Sequence, residues 1–226
     1  MQYHVQPDKH NGKLENTQKE KGRKQNMKRD IVILTRSYKR GGLCVAGIDA
    51  KTGEWVRLVS SDVKSHGALT SRTASSFNVL DQVQVEIEEA RPTPYQPENL
   101  LVDIKQRIIK TGTWNLEQVL NLHPAEDPDY IFVNTNRALS EKQMSETDGS
   151  LVLVHVDNFS ITDIQRRHAS FLYRGNSYYL SVTDPMYRGT SEETSLDSAY
   201  LVVSLPDEPY EENDPYYKFV AKVFPG

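Results

Sequence analysis

Residues 31–61 constrain the fold of this chain more than any other stretch. Residues 31–34 form a continuous run of β-branched and aliphatic side chains, which is typical of a strand buried on both faces. Residues 43–48 form a second strand-like run after the turn Lys39-Arg40-Gly41-Gly42, where glycine supplies the positive φ of a tight turn. After another glycine turn, residues 55–59 alternate in period two. Three strands joined so closely predict the opening meander of a small, strongly curved β-barrel.

The rest of the first half continues this β-rich pattern. Residues 81–90 alternate apolar and polar side chains, so one face of that strand is buried and the other is wet. Residues 100–104 fit another extended segment. Residues 115–122 have apolar side chains at helical spacing, with Asn115 as the N-cap, and residues 136–144 predict a second short helix.

A new β-rich pattern begins after Asp148-Gly149, and we place a domain boundary there. Five strand-like runs follow, at residues 151–156, 171–173, 178–182, 200–205 and 216–224. Together with hairpin turns and one longer acidic loop, they are the content of a second small barrel. This strand content, combined with the resemblance of several stretches to a known family, predicts a mainly β protein of two small OB-like β-barrels packed together, with a few short helices. The predicted divisions are a disordered or non-native tail at 1–26, a first barrel at 27–148 and a second barrel at 149–226.

The composition is that of an ordinary soluble protein, with 37% hydrophobic and 26% charged residues. No apolar run approaches the roughly 18 residues that a membrane span requires, and the start of the chain has no hydrophobic signal segment. The chain has one cysteine, so it cannot form an internal disulfide. We therefore expect a cytoplasmic protein without membrane contact.

Charge is unevenly distributed along the chain, whose net charge is −4. Residues 1–28 carry seven basic and three acidic side chains, which leaves −8 for the remainder. Eight acids without an intervening cation follow Gly189: Glu192, Glu193, Asp197, Asp207, Glu208, Glu211, Glu212 and Asp214. Without that block, the net charge of residues 29–226 is close to zero. This part of the chain lacks the basic footprint of many nucleic-acid-binding proteins, so charge alone slightly disfavours that function.

The first strands also carry a family resemblance. In the pattern LTRSYKRGGLCVAGID…TGEWVRLVS, six residues occur together in order: Ser37, Lys39, Cys44, Gly47, Trp55 and Arg57. This pattern resembles the first half of the bacterial dual OB-fold domain family. Later stretches fit the same pattern: PYQPENLLVD at 94–103, YYLSVTDPMYRG at 178–189, VVSLPDEPY at 202–210 and YYKFVAKVF at 216–224. The resemblance covers residues 27–224 and implies two OB-folds with a role in acting on or sensing nucleic acid.

A group of cations lies on and beside the first meander, at Arg36, Lys39, Arg40, Arg57 and Lys64. Guanidinium groups donate paired hydrogen bonds to phosphates, and a glycine turn lets backbone N–H groups approach an anion. OB-folds bind single strands with such a groove combined with aromatic stacking. An equally good interpretation is that these are solvated turn cations, with Arg57 paired to an acid such as Glu54 or Glu86.

A second group interleaves aromatic residues with arginines. The aromatics are Phe171, Tyr173, Tyr178, Tyr179 and Tyr187, and the arginines are Arg166, Arg167, Arg174 and Arg188. Base stacking and phosphate contact require such side chains, but strands are naturally rich in tyrosine and half of these must face the core. Tyr179 shares a face with Ser181 and Thr183, so it is the best candidate for exposure, and core packing is favoured for most of the others.

Three further features have a structural interpretation beside a functional one. Asp184, in Thr183-Asp184-Pro185, could hold a substrate amine or act as a base, but an aspartate before proline more often caps a turn. Cys44 lies between apolar neighbours and is expected to be a small buried hydrophobe. The six histidines have no metal-ligand spacing, so we predict no metal and no cofactor. No catalytic signature is readable, which leaves the catalytic residues unknown.

We therefore predict a protein that binds or senses nucleic acid, as single-stranded DNA or RNA. The predicted ligand-binding residues are Ser37, Lys39, Arg40, Arg57, Tyr179, Thr183, Asp184 and Arg188. One alternative is an enzyme acting on a nucleic acid or nucleotide, for which a deep pocket would gather Asp184, Arg57, Lys39 and a histidine. The other is a protein-interaction module whose acidic loop at 192–214 docks a basic partner.

Overall fold

The computed structural model describes Met1 and residues 27–39, 42–61, 66–163, 167–187 and 192–226. Residues 2–26 of the predicted tail lie outside these ranges, as do Arg40 and Arg188. None of the helices in the described ranges has the length and apolar character that a membrane crossing demands.

The first half of the chain forms a sheet that closes on itself. Its strands are β1 (Met27–Lys39), β2 (Gly42–Asp49), β3 (Trp55–Val59), β4 (Asp81–Ala90), β5 (Asn99–Val102) and β6 (Ile109–Thr113). The strand order is β1-β2-β3-β5-β4-β6, and β1 pairs with both β2 and β4. Strands β3 and β5 are parallel. This is the Greek-key barrel of an OB-fold, as predicted, with β6 added at one side.

The long first strand makes this closure possible. Residues 27–32 of β1 pair with β4 and residues 31–39 pair with β2, with a β-bulge between Ile33 and Thr35. Gly47 lies opposite Ile33, and any side chain at Gly47 would collide with the carbonyl oxygen of Val32. The bulge and the close approach of the two strands let β1 bend around the barrel.

Short helices lie between and beside the strands: α1 (Ser71–Ala74), α2 (Leu116–Leu122) and α3 (Glu141–Met144). Helix α2 agrees with the sequence prediction. The Asn115 side-chain oxygen accepts a hydrogen bond from the Gln118 N–H, and the Gln118 side-chain oxygen accepts one from the Asn115 N–H. The helix predicted at 136–144 is shorter than expected and begins after its cap, Ser140.

The reason for the shortened helix is a strand pairing. Residues Ala138–Leu139 form β7, which pairs with β12 (Tyr216–Tyr217) from the far end of the chain. Backbone that bonds to another strand cannot also form the helical ladder. The local helix pattern was therefore overridden by a contact between distant parts of the sequence.

The second half forms a closed barrel of five strands. They are β8 (Leu151–Asp163), β9 (His168–Tyr173), β10 (Asn176–Val182), β11 (Thr194–Ser204) and β13 (Phe219–Pro225), in the order β10-β13-β11-β8-β9. A 3-10 turn at Pro185–Tyr187 follows β10. The first strand pairs on both sides and the third and fifth are parallel, so the connectivity is that of the first barrel. The domain boundary at 148–149 stays a prediction.

The acidic segment is not a single loop. Strand β11 runs through it from Thr194 to Ser204 and carries Asp197. Glu192 and Glu193 therefore precede the strand, and the remaining acids lie between β11 and β12. A strand rather than a loop forms here because apolar side chains of β11, such as Leu201 and Val203, face the barrel core.

The two barrels share a hydrophobic seam made by their outward-facing side chains. Strands β1 and β2 contribute Val32, Leu34, Ala46 and Ile48, and strands β8, β11 and β13 contribute Leu151, Leu153, Val202 and Phe224. The Thr35 hydroxyl also donates to the carbonyl oxygen of Ala221 in β13, at 3.1 Å. The second barrel thus covers the outer face of β1–β2 at Val32, Leu34, Ala46 and Ile48.

Candidate nucleic-acid interface

Arg57 lies inside the molecule, at the seam between the barrels. Its guanidinium is buried, with Nε 3.1 Å from Glu98 Oε1 and Nη2 2.7 Å from Ser150 Oγ, and the Ser150 hydroxyl also donates to Glu98. Arg57 shares the outward face of β3 with Trp55, and Trp55 packs into the seam. The structure corrects the expectation of an exposed groove cation here, because the second barrel covers this face. The acid that pairs with Arg57 is Glu98, rather than Glu54 or Glu86.

Asp184 is also buried, with 4% of its surface exposed, and its carboxylate is bonded to groups within the protein. Its Oδ2 lies 2.8 Å from Lys222 Nζ and accepts the Val223 N–H, and its Oδ1 accepts the Met186 N–H at 3.0 Å. The last bond is the turn-capping arrangement that the sequence favoured. A carboxylate with three internal donors is not presented to a ligand.

Ser37, Lys39 and Thr183 lie toward the end of the seam. Ser37 is buried, whereas Lys39 extends along the surface and donates to the carbonyl oxygen of His66 at 2.7 Å. The Tyr38 N–H points to the Thr183 carbonyl oxygen at 3.4 Å, so the ends of β1 and β10 meet. A ligand-binding role for Ser37, Lys39 and Thr183 stays a prediction, and Arg40 and Arg188 lie outside the described residues.

Cys44 is half-exposed rather than buried. It alternates with Leu43 and Val45, which face the core of the first barrel, so its side chain is on the outer face of β2. The apolar neighbours in sequence indicated a buried strand correctly but not which face of it Cys44 occupies.

The aromatic group divides as the strand period predicts. Phe171, Tyr173 and Tyr178 are buried in the core of the second barrel. Tyr179 is 40% exposed and lies on the outer face of β10, opposite Ser170 of β9. The expected exposure of Tyr179 and burial of these three aromatics are therefore both observed.

An open groove of about 870 Å³ runs along this outer face. We call it the β9–β10 groove, and it is lined by Thr135, Asn136, Arg137, Ala138, Ser170, Phe171, Leu172, Ser177, Tyr178, Tyr179 and Pro215. Its floor belongs to the second and third strands of the barrel, and one wall is the segment before β7. Hydroxyl groups, one amide and an exposed aromatic ring give it a polar surface with a stacking platform.

Arg137 is the cation of the β9–β10 groove, and the sequence analysis did not select it. Its Cζ lies 5.9 Å from the centre of the Tyr179 ring and 6.0 Å from that of Tyr217. Its Nη2 is 2.9 Å from His168 Nε2. Because arginine can only donate, this His168 nitrogen is the acceptor. Within the described ranges no carboxylate forms an ion pair with Arg137, so its charge is available to an anion.

The His168 ring packs against the ring of Tyr179. Its ring stacks on Tyr179 with 4.6 Å between centroids and 14° between planes. Its Nε2 also lies 3.0 Å from Ser181 Oγ. His168 and Ser181 are directly opposite each other in the ladder of β9 and β10. The orientation of Tyr179 is thus set by its neighbours before any ligand arrives.

Lys218 holds the Arg137 segment in place. Only 1% of Lys218 is exposed, and its Nζ donates to the backbone oxygen of Asn134 at 2.5 Å and to Asn134 Oδ1 at 2.9 Å. Its backbone N–H donates to the carbonyl oxygen of Arg137 at 2.8 Å. Burial lowers the pKa of the Lys218 ammonium to about 7. The sequence carried no signal for this role, because it placed Lys218 within a predicted strand at 216–224, where a lysine usually faces solvent. In the structure Lys218 lies between β12 and β13.

No group of three or more His, Cys, Asp and Glu residues within the described part of the chain could hold a metal ion. The described residues that line the β9–β10 groove supply stacking, hydrogen bonding and one guanidinium charge.

Two barrels with the strand order of an OB-fold, packed face to face, define a protein of the dual OB class. Residues 29–223 match the dual OB-containing domain family, and the chain belongs to that family. No curated protein matches the sequence.

Solved structures with a related arrangement include the p204 HINb domain, with a TM-score of 0.41 and 9% identity over 88% of this chain and 95% of that one. A murine DNA-binding protein bound to double-stranded DNA has a TM-score of 0.37 and 8% identity, covering 89% of this chain and all of the other. The Ifi202 HINa domain in complex with 20-bp double-stranded DNA has a TM-score of 0.34 and 9% identity, covering 89% and 94%. These likenesses are too distant to transfer a property to this chain.

We predict that Arg57→Ala destabilises the fold by about 3–5 kcal/mol, because it leaves Glu98 buried without its charge partner. Urea unfolding followed by tryptophan fluorescence measures the change. The exposed Arg72, changed to alanine, is the matched control and should shift the free energy of unfolding by less than about 0.5 kcal/mol. Equal stability of Arg57→Ala and the parent would contradict the structural role.

We also predict that Lys218 makes stability rise with pH between about 7.5 and 9. Its pKa is about 7 when folded and near 10.5 when unfolded, so the unfolded chain binds the extra proton in this window and raising the pH favours the folded state. Urea unfolding at several pH values should show this slope, and Lys218→Met should remove it. The exposed Lys142→Met is the control. Tyrosines with raised pKa values, such as Tyr178, act only above this window.

Proposed function

We propose that this protein binds single-stranded nucleic acid in the β9–β10 groove. The observation that carries the proposal is Arg137, a cation without an acidic partner among the described residues, held beside the exposed ring of Tyr179. The face formed by the second and third strands is the one that OB-folds use for oligonucleotides. Membership in the dual OB family supports this function.

The packing of the barrels explains why the second barrel would be the binding unit. In the first barrel the corresponding strands, β2 and β3, direct Ala46, Ile48 and Trp55 into the seam. In the second barrel the face of β9 and β10 remains open and contains the groove. A single-stranded ligand therefore has an accessible platform on the second barrel.

Each group in the groove has a distinct role in this proposal. Tyr179 stacks on a base, and Arg137 contacts the adjoining phosphate as a bidentate donor. Ser170, Ser177 and Asn136 supply hydrogen bonds to sugar, phosphate or base edges. With one arginine as the main charge, binding depends on stacking more than on electrostatics. This agrees with the near-neutral charge of the chain outside its N-terminal tail and the acidic block that follows Gly189.

Lys39, in the last position of β1, is kept in the proposal as an additional phosphate contact, together with Ser37 and Thr183. Arg40 and Arg188 lie outside the described residues, and their role in binding stays a prediction. Arg57 and Asp184 are not kept in the proposal, because both are in internal ion pairs. For the same reason the deep pocket required by the enzyme alternative lacks two of its members. We also propose a cytoplasmic, reducing setting, which suits the single cysteine.

Tyr179→Ala should weaken binding of a fluorescein-labelled single-stranded dT oligonucleotide by roughly 5- to 150-fold, which corresponds to about 1–3 kcal/mol for one stacked base. Fluorescence polarisation measures the affinity. Tyr130→Ala is the matched control, because Tyr130 is 44% exposed but does not line the groove. Unchanged affinity in folded Tyr179→Ala would remove the groove as the binding site.

Arg137→Gln should lower the affinity and reduce the dependence of log Kd on log salt concentration by about 0.7, the value for one phosphate contact on a single strand. The same titration at several salt concentrations supplies both values. Lys142→Gln, an exposed cation outside the groove, should leave the slope unchanged. A slope that stays the same in Arg137→Gln would show that Arg137 makes no phosphate contact.

A further inference from the structure

Strand β6 is an exposed edge of the first barrel's sheet. It pairs with β4 on one side, and no strand in the described ranges pairs with its other side. Its five residues Ile109–Thr113 are exposed, apart from half-exposed Gly112. An edge of this kind presents backbone N–H and C=O groups to which another chain can add a strand.

Two large apolar side chains are exposed on β6 and on the connection that precedes it. Ile109, the first residue of β6, is 54% exposed, and Ile104 in the preceding connection is 49% exposed. Proteins usually protect an open edge by keeping apolar side chains away from it. Exposed isoleucines at an unpaired edge therefore indicate a surface that is covered when the protein meets a partner.

The charge of this surface is positive. Lys105 and Arg107 lie between the two isoleucines, and neither side chain has an ion pair or hydrogen bond within the described part of the chain. The nearby carboxylate of Asp81 is already paired with another cation, because its Oδ1 lies 2.6 Å from Lys110 Nζ of β6. Lys105 and Arg107 are thus available to acidic groups of a partner.

The backbone of β6 can also be approached closely. A Cβ added at Gly112 would meet only Gln82 atoms, the nearest at 3.7 Å, and Gln82 belongs to the paired side of the strand. The face of β6 at Gly112 is therefore open, and β6 contains no proline that would remove an N–H donor from its unpaired edge.

We propose that residues 104–113, the β6 edge, bind an extended acidic peptide segment of a partner protein as an added strand. Main-chain bonds to β6 supply affinity, carboxylates pair with Lys105 and Arg107, and an apolar side chain of the peptide covers Ile109. This interaction is independent of nucleic-acid binding in the β9–β10 groove. A second copy of the chain is a poorer occupant, because pairing two β6 edges brings both sets of cations together.

The probe is a fluorescein-labelled heptapeptide with the sequence EVEIEVE, titrated with the full chain in a polarisation assay. Saturable binding is expected, and the double variant Lys105→Glu/Arg107→Glu should weaken it by about tenfold or more. The double variant Arg72→Glu/Lys142→Glu changes two exposed cations elsewhere and should bind as the parent does. Ile109→Ala should also weaken binding, and its thermal melt checks that it is folded.

A peptide with N-methyl groups on alternate residues tests the added strand, because it lacks the N–H donors of one edge. Equal binding of this peptide, or of the lysine version KVKIKVK, would overturn the proposal. Absent binding of EVEIEVE would also overturn it. If oligonucleotide binding by the Lys105→Glu/Arg107→Glu variant were then weaker, the cations would be contacts to nucleic acid. Loss of oligonucleotide binding in Tyr179→Ala with intact peptide binding would separate the two sites.

Discussion

The burial of two outward barrel faces against each other is the constraint on which the structure depends. Val32 and Ile48 from one barrel pack against Leu153 and Phe224 from the other. An OB barrel normally leaves part of its outer surface for ligands, and here that surface of the first barrel becomes core. A polar group at such a seam must find an internal partner, and for Arg57 the partners are Glu98 and Ser150.

This packing also decides which face remains open. The second barrel uses β8, β11 and β13 at the seam, so β9 and β10 keep their outer surface. The segment between the barrels then adds a wall to that surface and brings in Arg137. The β9–β10 groove is therefore a product of barrel and connector together, with β7 and β12 pairing to hold the connector against the barrel.

The two barrels repeat a topology without repeating a sequence. In each, the first strand has 13 residues and pairs on both sides, and the third and fifth strands are parallel. A strand that closes a small barrel must be long enough to leave one neighbour and reach another. A long strand with bulges and alternating side chains meets this requirement. Many different sequences provide such a strand, so the two barrels can share a topology without sharing a sequence.

The sequence by itself determined most of the barrel strands, helix α2, the family and the exposure of Tyr179, because period-two alternation, a capping box and short motifs are local properties. It did not indicate β6, and it predicted a helix where β7 lies. Only the tertiary structure decided which outward faces would be covered. It buried Arg57 and Asp184 in ion pairs and brought Arg137 to Tyr179 across 42 positions of the chain. Period-two alternation along a strand indicates which side chains point out of their own barrel. Whether such a side chain then meets water or the other barrel depends on packing between distant segments.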